Sequence, residues 1–107
     1  MTLQILDSES DPASMRLVGE LDLSTARLAA EAILPKCQGS TLSLDLSELT
    51  FMDSSGVRVL LEAFKAVSSK GGAFALLSPT PVVRRIIDLL GLPENGVVVR
   101  EAQDAEG

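Results

Sequence analysis

Between Thr41 and Val67 the apolar pattern of this chain changes its period, and that change restricts the fold more than any other feature. Leu42, Leu44 and Leu46 alternate with Ser43 and Asp45, which places the three leucines on one face of a strand over Thr41 to Ser47. Val57, Leu60, Leu61, Phe64 and Val67 then recur at helical spacing, with Arg58, Glu62 and Lys65 on the opposite side. Arg58 and Glu62 stand at i,i+4, where they are able to pair. Gly71-Gly72 stops this helix, and Ala73 to Leu77 is a continuous apolar run of the kind expected in a strand covered by helices. A strand, a helix and a second strand in succession require a crossover, so the pattern points to an α/β chain with a largely parallel sheet.

The flanking segments extend the pattern. Thr2 to Leu6 and Met15 to Val18 read as two short strands joined by the polar, Pro12-containing loop Asp7 to Ala13, hence as a hairpin ended by Gly19-Glu20-Leu21-Asp22. Ser24 is placed to cap a first helix running to about Cys37, with Leu28, Ala29, Ala32 and Ile33 on its apolar side and Pro35 and Gly39 closing it. Thr80-Pro81 is a cap followed by proline at the first helical position. Val83, Ile86, Ile87 and Leu90 form a third apolar face, ended by Gly91 and Pro93, and Val97 to Val99 reads as a last strand. The expectation is one domain over 1–107, with a core of about 3–99 and a short acidic tail over 100–107. Its sheet is small, mixed but largely parallel, four- to five-stranded, with helices packed mainly on one face. Apolar residues make up 46% of the chain, enough for one core without metals or disulfides, and only 3% is aromatic, so that core is aliphatic.

The junction Phe51-Met52-Asp53-Ser54-Ser55-Gly56 puts two hydroxyls beside a carboxylate where strand gives way to helix. A nucleophilic serine needs a base, most often histidine, and the chain has none. Lys65 lies on the polar face of the second helix, three turns away, so a serine–lysine pair is not supported. No glycine-rich phosphate loop follows a strand. The single cysteine, Cys37, forms no internal disulfide and, without histidine, no metal site; it reads as a packed residue near a helix end. Asp22, Asp45 and Asp53 fall at or near strand ends and could share a rim, but capping explains them better than a metal. No cofactor, metal or catalytic residue is expected. A net charge of −6 disfavours nucleic acid. The N-terminus lacks a basic region and a long apolar core, and no apolar stretch has the length of a membrane span, so the chain reads as cytoplasmic and not membrane-bound. Two readings of Ser54 and Ser55 remain, helix capping and modification. A phosphate there adds about −1.5 to −2 charges. A carboxylate roughly 7 Å away opposes it by about 2–5 kcal/mol at an effective dielectric of 20–40, and a penalty from the middle of that range on an acidic or apolar partner weakens binding ~10²- to 10³-fold.

Several segments, in order, carry a resemblance to a family. They are Gly19-Glu20-Leu21-Asp22 with Thr25-Ala26, Leu44-Asp45-Leu46-Ser47, Phe51-Met52-Asp53-Ser54-Ser55-Gly56-Val57, Gly71-Gly72, Ser78-Pro79, and Arg84-Arg85 leading to Leu90-Gly91-Leu92. The chain resembles the STAS domain of bacterial anti-sigma factor antagonists over nearly its full length. The resemblance implies a non-enzymatic switch. The unphosphorylated form binds an anti-sigma factor that is also a serine kinase, and the sigma factor is released. Phosphorylation of the serine after the motif's aspartate, Ser54 here, ends the binding, and a PP2C-type phosphatase resets the protein. The expected partner face comprises Asp22, Ser24, Asp53, Ser55, Gly56, Val57 and Arg58. The family usually carries a longer C-terminal helix, for which Arg100 to Gly107 leaves room for one turn or none. STAS domains also serve transporters and stress-sensing assemblies, so the alternative is a regulatory subunit of such a complex whose Ser54 is not phosphorylated.

Overall fold

A computed structural model of the chain describes residues 2–8, 11–37 and 41–101. Strand β1 (Leu3–Asp7) and strand β2 (Ser14–Leu21) form the expected antiparallel hairpin, in register from Leu3 opposite Gly19 to Asp7 opposite Met15. Helix α1 (Ala26–Ile33), strand β3 (Leu42–Met52), helix α2 (Ser54–Ser68), strand β4 (Phe74–Leu77), helix α3 (Pro81–Leu89) and strand β5 (Val98–Arg100) follow. The sheet order is β1-β2-β3-β4-β5, with every pair after the hairpin parallel. The three crossovers advance in one direction, and the right-handed rule for such connections places their helices on one side of the sheet. Leu17 and Leu21 of β2, Leu42 and Leu44 of β3 and Leu60 of α2 are fully buried between the layers. The other face carries Arg16 bonded to Asp45 at 3.2 Å and to Glu48 at 3.0 Å.

The central strand is longer than alternation predicts. From Arg16 to Val18 the partner advances from Asp45 to Glu48, and from Gly19 to Glu20 it advances from Leu49 to Phe51. β3 therefore carries two extra residues against β2, each a bulge that locally breaks the two-residue period. Leu49 and Met52 are turned inward while Ser47, Glu48, Thr50 and Phe51 stay exposed. Gly19, at the second irregularity, has φ +115, and a Cβ there would lie 2.4 Å from the Thr2 carbonyl oxygen, so only glycine lets β1 pair at this point.

Four local expectations need correction. α1 stops at Ile33 and tightens into a 3₁₀ turn over Leu34–Lys36, because Pro35 has no N–H to give and its ring meets the preceding turn. Its inward side is Ala29 and Ile33, and Leu28 is exposed. Leu90 is also exposed, since it lies past the end of α3, where the chain leaves helical geometry. Thr80 does precede α3, but its hydroxyl donates to the Leu49 carbonyl (2.8 Å) rather than capping the helix. That bond fixes α3 against β3 beyond the last β4 pair, at Asp45. Cys37 is buried, and burial raises its thiol pKa against the opposing pull of Lys70. Gly39 and the tail beyond Glu101 lie outside the described residues. Among the described residues no helix is long and apolar enough to cross a membrane.

Candidate functional site

The parallel strands β2 and β3 end side by side, with Leu21 opposite Met52. Asp22 and Asp53 thus leave neighbouring strands, spaced about 4.8 Å apart across a sheet. The Asp53 N–H donates to the Leu21 carbonyl at 3.2 Å and ties the two junctions together. Asp45 does not join them. It stands eight residues before Asp53 on β3, roughly 26 Å along an extended strand, and faces Arg16 on the open side of the sheet. Burial raises the Asp45 pKa, but hydrogen bonds from Ser47 and the Arg16 charge outweigh it, so the carboxyl stays below its ordinary value. Among the described residues no group of three His, Cys, Asp or Glu is placed to hold a metal.

Asp53 is extended, at φ −120 and ψ −171, and caps α2 by accepting from the Ser55 N–H (2.9 Å) and the Gly56 N–H (3.4 Å). It satisfies two donors that the first turn of a helix leaves open. Ser54 is the first helical residue, is exposed, and its hydroxyl makes no hydrogen bond among the described residues. Ser55 is half-buried. Gly56 and Val57 turn inward and are buried, which removes both from the expected partner face. Gly56 has a structural task instead. A Cβ there would lie 2.6 Å from Leu21 Cγ, 2.9 Å from the Leu21 carbonyl oxygen and 2.9 Å from Met52 Cγ. Glycine lets the first turn of α2 rest directly on the ends of β2 and β3.

The Asp22 junction is built differently. Asp22 is buried, and one carboxylate oxygen accepts from the Ser24 hydroxyl (2.6 Å), the Ser24 N–H (2.9 Å) and the Thr25 N–H (3.2 Å). The Ser24 hydroxyl bond is the main cause of a lowered Asp22 pKa; burial opposes it and the two N–H bonds add to it. Ser24 is exposed but does not cap α1, since the residue at the cap position is Thr25. The Thr25 hydroxyl donates to the Glu20 carbonyl (2.8 Å) and accepts from the Asp22 N–H (2.9 Å).

Between α1 and α2 these junctions open into a groove of about 450 Å³. Ser54, Ser55 and Arg58 line it from α2, together with Val59 and Glu62. Leu23, Ala26, Arg27 and Ala30 line it from the other side. Leu23 is 80% exposed, the most exposed large apolar side chain described, and sequence reasoning missed it. Its signal was an isolated leucine between Asp22 and Ser24, in a turn with no helical or strand period to bury it. Arg58 and Glu62 do not pair. The ion pairs among the described residues fall to Arg16, Arg27, Lys36 and Arg84, and Arg27 bonds Glu31 at 3.2 Å.

Comparison with known proteins gives this geometry its relatives. The family model for the STAS domain matches residues 5–105. The anti-sigma F factor antagonist of Paenibacillus polymyxa is 36% identical over 86% of this chain and 82% of its own length. The anti-sigma-B factor antagonist of Bacillus subtilis is 28% identical over 88% of this chain and 86% of its own. Among solved structures, an anti-sigma factor antagonist from Mycobacterium paratuberculosis superposes with a TM-score of 0.72 at 26% identity, covering 91% of this chain and 84% of that one. The Bacillus cell-fate determinant SpoIIAA, solved in its phosphorylated form, shares the fold with a TM-score of 0.67 at 24% identity, covering 98% of this chain and 96% of that one.

Proposed function

The chain belongs to the STAS-domain family, and from that premise we propose that it is an anti-sigma factor antagonist switched by phosphorylation of Ser54. It acts as a cytoplasmic binding module without chemistry of its own. Unphosphorylated, it binds an anti-sigma factor with serine kinase activity through the groove between α1 and α2, and the sigma factor is released. The phosphorylated form is reset by a PP2C-type phosphatase. The observation that carries this reading is the Ser54 hydroxyl, which is exposed and unbonded at the mouth of a groove lined by the exposed Leu23.

The local electrostatics support a switch. A helix N-terminus ordinarily attracts a phosphate. Here the Asp53 carboxylate already accepts from the Ser55 and Gly56 N–H groups, so a phosphate on Ser54 arrives beside a charge instead of on free donors. Ser54 is exposed, and water screens the repulsion toward the lower end of the range above, about 2 kcal/mol. A penalty of that size on a partner that must bury the same surface lowers affinity about 30-fold.

Intact-mass measurement after incubation with the cognate anti-sigma kinase and ATP tests the proposal. Wild type gains one phosphate and Ser54→Ala gains none. No gain on wild type, or an equal gain on the variant, overturns the assignment.

A further inference from the structure

We infer that Arg58 is the intramolecular counter-ion of a phosphate on Ser54, and that their pairing lays the phosphate into the groove between α1 and α2. The inference rests on Ser54 being the modified residue. Ser54 and Arg58 are four residues apart on α2 and line the same groove. Arg58 is exposed and has no ion-pair partner among the described residues, although Glu62 stands one turn further on.

Helix direction accounts for the difference. An acidic group four residues N-terminal to a basic one pairs better than the reverse order, because it also agrees with the helix dipole. Arg58 followed by Glu62 is the poor order. A phosphate at Ser54 followed by Arg58 is the good one, and a guanidinium meets phosphate oxygens with two parallel N–H donors. Among the cations lining the groove, Arg58 is the one on the same helix as Ser54 and one turn from it. Arg27 on α1 is held by Glu31, and Asp22 and Asp53 are acids engaged with N–H and O–H donors.

One modification then does two things to the binding face. It fills the mouth of the groove with a desolvation-resistant dianion, and it withdraws the unpaired cation there from any acidic group on a partner. A phosphate that only repelled would leave that cation available to the partner.

The test places phosphoserine at position 54 during translation, so that no kinase is needed. A ³¹P titration reads the second ionisation of the phosphate in wild type, Arg58→Gln and Arg58→Lys. The expected value in wild type is about 0.3–0.7 unit below that in Arg58→Gln, the size of a partly exposed ion pair on the helix surface. Arg58→Lys falls between them, and added salt narrows the difference. The Arg58 Nε–H resonance shifts on going from Ser54 to phosphoserine. Equal ionisation in wild type and Arg58→Gln, with an unmoved Nε–H resonance, overturns the pairing whether or not a kinase acts on Ser54. A normal Arg58-dependent shift beside a failed kinase assay overturns the functional reading and leaves the pairing in place.

Discussion

The molecule contains two junctions written in almost the same residues. After β2 the chain reads Leu21-Asp22-Leu23-Ser24-Thr25-Ala26, and after β3 it reads Met52-Asp53-Ser54-Ser55-Gly56-Val57. Both place an aspartate just past a strand and two hydroxyls before or within a helix. At the first, the Ser24 and Thr25 hydroxyls are bonded to Asp22 and Glu20. At the second, Asp53 is satisfied by backbone N–H groups alone, and the Ser54 hydroxyl is left over. The cause is a shift in where each helix begins. α2 starts on the residue after its aspartate, so the carboxylate reaches the N–H groups of the first turn. α1 starts four residues after Asp22, and the intervening turn is held by side chains. The Ser54 hydroxyl is therefore left exposed and unbonded because backbone N–H groups already satisfy its aspartate.

The seating of α2 is the part of this contrast most easily broken. Gly56→Ala forces a Cβ against the Leu21 carbonyl oxygen, which belongs to backbone and has little room to move. Crowding of this kind costs about 1–3 kcal/mol, read as a lower urea midpoint. Because the displaced turn carries Ser54 and Arg58, the same variant loses partner affinity. A Gly56→Ala protein of wild-type stability would show that α2 does not need to sit so close to β2.

The serines provide a smaller and sharper comparison. Ser24→Ala removes the 2.6 Å hydroxyl bond to Asp22 and is destabilising. Ser54→Ala removes no intramolecular bond and stays within about 0.5 kcal/mol of wild type, as surface substitutions do. Chemical denaturation of the two variants side by side checks this. If Ser54→Ala is the more damaging, its hydroxyl has a structural role and the contrast between the junctions fails.

The order of elements and the sheet type were legible in the sequence because they depend on period, and period survives small irregularities. The second half of β3 was not, since its two bulges break alternation just where Leu49 and Met52 turn inward. Val57 was given both to the inward face of α2 and to the partner face. Its burial resolves the conflict, and Gly56 follows it inward because 54 and 58 are the residues that face out in the first turn. Val59 and Ala63 were missed on the buried side because α2 packs against α1 as well as the sheet, which widens its apolar arc beyond one stripe. Asp53 as a cap was readable from residue type and position. The clamp around Asp22 was not, because three donors converging on one oxygen depend on turn geometry that no short-range pattern encodes.

The acid side of the stability profile separates Asp22 from Asp45 and carries the smallest expected effect. Both carboxyls sit below their ordinary value of 3.8 in the folded protein. A lowered folded pKa contributes stability that is present above the unfolded value and is lost as pH falls through the folded one. Asp22→Asn and Asp45→Asn should therefore each lower the urea midpoint at neutral pH and flatten its fall below about pH 4. Their response to salt should differ. The Asp45 shift includes the charge of Arg16, half-exposed and open to screening, so the gap between wild type and Asp45→Asn narrows in added salt. Asp22 is held by hydrogen bonds from Ser24 and Thr25, with no charge among the causes of its shift, so its gap persists. Equal salt sensitivity in the two variants would mean that the Asp22 junction is stabilised by long-range charge rather than by its own turn, and the distinction between that self-contained junction and the charge-paired Asp45 on the open face of the sheet would not stand.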